Sequence, residues 1–137
     1  MIDGKKIVAD ARTWLGVRFK KGGRDRMGID CIGLLIRVGE AQGLSIRDTV
    51  EYSFNPEPRL FENFVYDQTE PLPANTLRVG SILILKQSIF PMHTGILARD
   101  HHDRWSVINA NAKEHKVVEQ PLESWRKLII SIRSYKE

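Results

Sequence analysis

Gly28-Ile29-Asp30-Cys31-Ile32-Gly33-Leu34-Leu35 is the stretch on which the reading of this chain turns. Before it, Val17 to Gly28 is dense in Gly, Lys and Arg, including Gly22-Gly23, and cannot extend a helix cheaply. From Cys31 onward, Leu34, Leu35, Val38, Ala41 and Gln42 recur at helical spacing until Gly43 offers a stop, with Asp30 as the natural N-cap. The one cysteine of the chain therefore stands at a predicted helix start. Unpaired amides and the positive end of the helix dipole stabilise a thiolate there, so the pattern predicts a lowered thiol pKa and a nucleophile. The competing reading of the same letter is a small buried hydrophobe, the usual fate of a free cysteine.

On the N-terminal side, Ile7, Val8, Ala11, Trp14 and Leu15 repeat at intervals of three and four, which predicts an amphipathic helix over Gly4 to Leu15 ending at Gly16. Arg47 to Asn75 holds Pro56, Pro58, Pro71 and Pro73 around Leu60, Phe61, Phe64 and Val65, and reads as a long irregular connection containing a short helix. The pattern then changes to short β-branched runs at Ser81 to Lys86, Thr94 to Ala98, Trp105 to Ala110, Lys116 to Glu119 and Leu128 to Arg133. The charged turn Arg99 to Arg104 joins two of them as a hairpin. Helices first and antiparallel strands afterwards predict an α+β chain with segregated layers, one domain over residues 1–137.

Composition narrows the function classes. Of 137 residues, 42% are hydrophobic and 28% charged, which excludes a disordered or collagen-like polymer. One cysteine excludes an internal disulfide and a four-thiolate zinc site, and neither a metal nor another cofactor is expected. Lys and Arg number 21 against 17 Asp and Glu; the resulting +4 permits anionic partners without choosing one. Neither nucleic acid nor membrane insertion is expected, since the longest apolar runs fall far short of a span. Asp3, Lys5, Lys6, Asp10 and Arg12 interrupt the opening segment, so no signal peptide is expected.

A nucleophilic cysteine needs a base, and four histidines are available. His101 and His102 sit in the charged turn, whereas His93 directly precedes an apolar strand and can face the helix that carries Cys31. Asn109, a polar residue between Ile108 and Ala110 on the next strand, can lie near His93 across the hairpin given some offset in register, and would fix the imidazole tautomer. A capping histidine and a surface asparagine would explain the same letters. The basic loop Arg18, Lys20, Lys21, Arg24 and Arg26 reads as a solvated surface, and Trp14 and Trp125 read as core residues.

Four blocks in order resemble the NlpC/P60 cysteine peptidases. Trp14-Leu15-Gly16-Val17-Arg18-Phe19 with Gly22-Gly23-Arg24 and Gly28 to Leu34 is similar to the family's N-terminal signature. Leu77 to Leu83 resembles its strand entry, His93-Thr94-Gly95-Ile96-Leu97 its histidine strand, and Val107-Ile108-Asn109-Ala110 its third-residue strand. Asp30-Cys31-Ile32-Gly33, Val118-Glu119 and Trp125-Arg126 are most similar to the phage-type branch. The resemblance implies a papain-like fold, N-terminal helices on a five- to six-stranded antiparallel sheet. It implies Cys31 as nucleophile, His93 as base and then acid, and Asn109 as the orienting third member in place of the common histidine. Asp30 would contact a substrate amine as well as cap the helix. Phe19 stands where the family usually has a tyrosine hydroxyl, and Ile32 where it commonly has serine. The implied activity is hydrolysis of amide bonds in peptidoglycan stem peptides, commonly next to γ-D-glutamate, with phage tail proteins as a further partner class. The chain would be made in the cytoplasm and act on the cell wall. A related papain-like amidase or acyltransferase, or a non-catalytic tail or wall-binding module on the same fold, is the alternative.

Overall fold

The computed structural model describes residues 2–53, 57–73, 76–87 and 90–137. Among the described residues, three α-helices, α1 (Gly4–Arg12), α2 (Cys31–Ala41) and α3 (Pro58–Gln68), accompany eight strands. The strands are β1 (Arg24–Asp25), β2 (Gly28–Ile29), β3 (Thr69–Pro71), β4 (Ile82–Gln87), β5 (Phe90–Arg99), β6 (Trp105–Asn111), β7 (Lys116–Pro121) and β8 (Ile129–Tyr135). The large sheet is antiparallel throughout, in the order β3-β8-β4-β5-β6-β7, and the helices pack on one face of it. The α+β layering expected from the order of patterns is therefore present. None of the helices is long and apolar enough to cross a membrane among the described residues.

The core explains why α2 is central. Eight of its residues, Cys31 to Ile36 with Val38 and Gly39, are buried, so it is apolar nearly all round, as a helix enclosed by other elements must be. Each fully buried Leu or Ile contributes about 2 kcal/mol of transfer free energy. Ile7, Val8 and Ala11 of α1 and Phe61, Phe64 and Val65 of α3 join the same core, whose sheet side is built by Ile82, Ile84, Ile96, Ala98, Ile108 and Ala110. Strand alternation sends Leu83, Leu85, Leu97 and Val107 to the opposite face, where a smaller cluster forms with Leu122 and half-buried Trp125.

Several boundaries differ from the sequence reading. Helix α1 stops at Arg12, with the Thr13 hydroxyl donating to Asp10 O at 2.6 Å. Trp14 still enters the core, but Leu15 is 41% exposed. Gly16 adopts φ +87°, which only glycine takes readily, and so turns its N–H to Val117 O of β7 at 3.0 Å. The basic loop contains the small β1–β2 ribbon, pairing Arg24 with Ile29 and Asp25 with Gly28. The proline-bearing stretch holds an eleven-residue helix, with Glu57 as N-cap, and an edge strand, β3. Pro56 and Asn75 of that stretch lie outside the described residues. Strand β5 begins at Phe90, so His93 lies inside the strand, opposite Leu85, rather than before it.

Candidate active site

Asp30 does more than cap α2. Its Oδ1 accepts from Gly33 N at 2.8 Å and Arg24 Nη1 at 3.0 Å; its Oδ2 accepts from Gly22 N at 2.7 Å and the Tyr52 hydroxyl at 2.6 Å. All four lone-pair directions of the carboxylate are thus occupied, and the side chain is nearly sealed from solvent. A substrate amine approaching Asp30 would have to displace one of these donors. Arg24 in turn holds Asp48 at 3.0 Å, Thr49 O at 2.8 Å and the Tyr52 oxygen at 2.8 Å. The basic loop is accordingly not a uniform solvated surface. Arg24 is an internal strut with an 11% exposed side chain, and Arg26 stacks on the Trp14 ring at 3.5 Å from its centroid. Arg18, Lys20 and Lys21 remain exposed.

Cys31 is buried at the first turn of α2. Burial pushes its thiol up to about 12, and the neighbouring Asp30 charge adds to the rise. The Thr94 N–H and hydroxyl and the Ile32 N–H pull the other way and are outweighed. The expected lowering of the thiol pKa is therefore reversed: a helix N-terminus supplies partial charges, while desolvation acts on the full thiolate charge. Cys31 meets β5 at Thr94, whose Oγ1 donates to Cys31 O at 3.3 Å. The sulfur makes no hydrogen bond with His93 among the described residues.

His93 and Asn109 come together directly. The ring Nε2 lies 2.9 Å from Asn109 Oδ1, with His93 3% exposed and Asn109 fully buried. The register pairs Ile96 with Ile108, so the bond spans a two-residue offset along the hairpin. Burial lowers the imidazole pKa and the hydrogen bond with Asn109 opposes that, with burial the larger effect, so the fold favours the neutral ring. The His101 and His102 rings meet at a 43° tilt in the exposed β5–β6 turn, and His115 occupies the β6–β7 turn at φ +64°.

A cleft of about 200 Å³ opens at Cys31, lined among others by Phe19, Lys21, Asp30, Tyr52 and Phe61. Phe19 contributes a half-buried ring to it; Ile32 points away, fully buried in the core. A groove of about 480 Å³ beside Leu77, Arg126 and Ile132 is larger, but its lining holds no thiol, histidine or carboxylate. Sequence reasoning missed Tyr52, whose phenol bridges Arg24 and Asp30 at the cleft wall. No local pattern marks it. Trp125, read as core and packed half-buried against the smaller cluster, also stacks on His93 with ring centroids 5.1 Å apart and donates from Nε1 to Gln120 Oε1 at 3.0 Å.

No protein-family model and no curated protein matches the sequence. Solved structures do. Over 98% of its length the chain superposes on all of the NlpC/P60 domain of the peptidoglycan hydrolase SagA, at TM-score 0.67 and 18% identity. It superposes equally fully on an N-acetylmuramoyl-L-alanine amidase from Bacteroides uniformis ATCC 8492, at TM-score 0.65 and 13% identity, covering 99% of that chain. An NlpC/P60 family protein from Bacillus cereus ATCC 10987 gives TM-score 0.72 at 16% identity, and there the chain spans 40% of the other protein. The chain thus has the papain-like α+β fold of NlpC/P60 domains.

Proposed function

We propose that the chain is a cysteine peptidase or amidase of the NlpC/P60 type that hydrolyses amide bonds of peptidoglycan stem peptides. The observation that carries this reading is the buried His93 Nε2–Asn109 Oδ1 bond of 2.9 Å, on the strand whose next residue meets the start of the helix bearing Cys31. An acceptor behind one ring nitrogen leaves the other as a base, which is the role a thiol nucleophile needs filled. With the thiol held neutral and not hydrogen-bonded to His93 in the free protein, its proton passes to His93 Nδ1 once the two groups close together in the substrate complex, as sulfur attacks the substrate carbonyl carbon. The first-turn amides of α2 are the donors available to the oxyanion. The imidazolium then protonates the leaving amine, the C–N bond breaks, and a thioester remains. Water, losing a proton to His93, attacks the thioester; the acid departs and the thiol is restored. Asp30, saturated by four donors, serves here as scaffold for the helix start, and the cleft at Phe19 and Tyr52 receives the substrate.

Peptidoglycan as substrate and the cell wall as place of action belong to the same reading, since two of the proteins sharing the fold are named a peptidoglycan hydrolase and an N-acetylmuramoyl-L-alanine amidase. The phage-type branch and a tail partner rest on the blocks Asp30 to Gly33, Val118-Glu119 and Trp125-Arg126. Purified protein incubated with muropeptides containing a γ-D-glutamyl bond should release a new amine, and Cys31→Ala and His93→Ala should each abolish the release. Intact muropeptides with wild-type protein would overturn the reading. The buried, neutral thiol favours one rival, a wall-binding module on the same fold; retention on peptidoglycan without cleavage, equal in wild type and Cys31→Ala, is its signature.

A further inference from the structure

An asparagine amide can present either its oxygen or its NH2 to a neighbouring ring, and which it presents decides the tautomer of that ring. At Asn109 the surroundings leave no choice. On one side the backbone N–H of Glu114 donates to Asn111 Oδ1 at 3.0 Å. A backbone N–H can only donate, so Asn111 must turn its own NH2 the other way, where it donates to Asn109 Oδ1 at 3.1 Å. On the other side the Trp125 indole N–H, also a donor only, is 3.0 Å from Gln120 Oε1, and the same oxygen receives Asn109 Nδ2 at 3.0 Å. A relay with an obligate donor at each end has one polarity throughout. Asn109 Oδ1 faces Nε2, Nε2 carries the hydrogen, and Nδ1 keeps its lone pair.

The sheet register builds this relay. Val107 pairs with Gln120 and Asn109 with Val118, so Asn109, Asn111 and Gln120 share a face, and Gln120 is the diagonal neighbour of Asn109. The indole that anchors the relay also lies against the His93 ring, its plane inclined by 28°.

We propose that Asn111, Gln120 and Trp125 are positioning residues: they fix the orientation of the Asn109 amide and, through it, hold His93 as the Nε2–H tautomer with Nδ1 free for the thiol proton. This rests on the reading of Cys31, His93 and Asn109 as a hydrolytic site, and its test separates the two. Nitrogen-15 NMR of the His93 ring at a pH where it is neutral reports the tautomer with no substrate present. Wild type should show the Nε2–H form alone. Gln120→Glu keeps an acceptor for both donors and should keep that form. Gln120→Leu removes the acceptor, and Asn111→Asp replaces a donor facing Asn109 by an acceptor; both should shift the ring towards the Nδ1–H form. Trp125→Phe keeps a stacked ring and loses only the terminal donor, so it tests the relay without emptying the site. On a cleaved muropeptide, Gln120→Leu and Asn111→Asp should lower kcat roughly 10- to 100-fold with KM within about twofold, and Gln120→Glu should recover it. An unchanged tautomer in Asn111→Asp, Gln120→Leu and Trp125→Phe, or equal damage from Gln120→Glu and Gln120→Leu, would overturn the proposal. Failure of wild type to cleave muropeptides, with the tautomer shifts present, removes the hydrolytic reading and leaves the relay standing.

Discussion

At Cys31 two effects of opposite sign compete, and burial wins. A thiol held near 12 is almost wholly protonated at neutral pH, so iodoacetamide should label Cys31 slowly at pH 7 and about tenfold faster for each pH unit up to pH 9. A labelling rate already flat between pH 5 and 8 would mean a preformed thiolate and contradict this account. Arg24 illustrates the same point about desolvation from the side of a paired charge. Its guanidinium serves Asp30, Asp48 and Tyr52 with little solvent access. Arg24→Met should therefore cost about 3 kcal/mol in urea unfolding, because it leaves the buried Asp30 carboxylate without its cation. A loss under about 0.5 kcal/mol, the range of an exposed pair, would show that the strut carries nothing. The capping role of Asp30 was legible from its place before an apolar helical run. The Arg24–Tyr52 partnership was not, since 28 residues separate the two and no short-range periodicity records a contact made by folding.

Between elements, the start of α2 is fixed by how closely the β1–β2 ribbon approaches it. A Cβ at Gly33 would lie 2.3 Å from Gly23 O and 2.8 Å from Ile29 Cγ1, so the loop carbonyl occupies the space a side chain would need. Gly33→Ala should force ribbon and helix apart and destabilise by about 1–3 kcal/mol, with a lowered thermal midpoint; an unchanged midpoint would refute the close approach. Elements with a strong internal period were legible: α2 and the strands from β4 to β8 were found within a few residues. Those whose form depends on a neighbour were not. The β1–β2 ribbon is two residues per strand, too short for any alternation to register. Strand β3 exists because β8 pairs with it, Thr69 opposite Tyr135, in a stretch whose prolines read locally as irregular. The early end of α1 has the same origin, because β7 draws the backbone from Gly16 onward into pairing with Val117. Likewise Trp125 was legible as apolar but not as the partner of His93, since that stack joins β5 to a turn more than thirty residues away.

For the whole molecule, the buried titrating groups define a pH window for stability. His93 has a lowered pKa in the fold, so as pH falls below its usual 6.5 the unfolded chain takes up a proton that the folded ring resists, and stability declines. Glu119, lowered chiefly by its hydrogen bond from Arg12, continues the decline below its usual 4.5, because the folded carboxylate stays charged while the unfolded one is neutralised. Asp10 opposes this trend weakly, its carboxyl raised by partial burial. On the alkaline side the sign is reversed. Cys31 is raised by burial, so above its usual 9.0 the unfolded thiol ionises first and pulls the equilibrium away from the fold. Tyr52 and Tyr135, both pushed well above their usual 10.0 mainly by burial, add to the loss at still higher pH. The urea midpoint should accordingly be highest and flat between about pH 6.5 and 9, falling on both sides. The alkaline limb can be assigned, since Cys31→Ala removes the first of its groups and should extend the plateau upward from pH 9 towards the tyrosine range. An identical alkaline limb in that variant would show that folding does not raise the thiol, and a wild-type midpoint that climbs with pH up to about 9, with the climb lost in Cys31→Ala, would show that folding lowers it and leaves a thiolate in the folded protein. General-base activation by His93 would then be unnecessary, because the nucleophile would already be present as the thiolate.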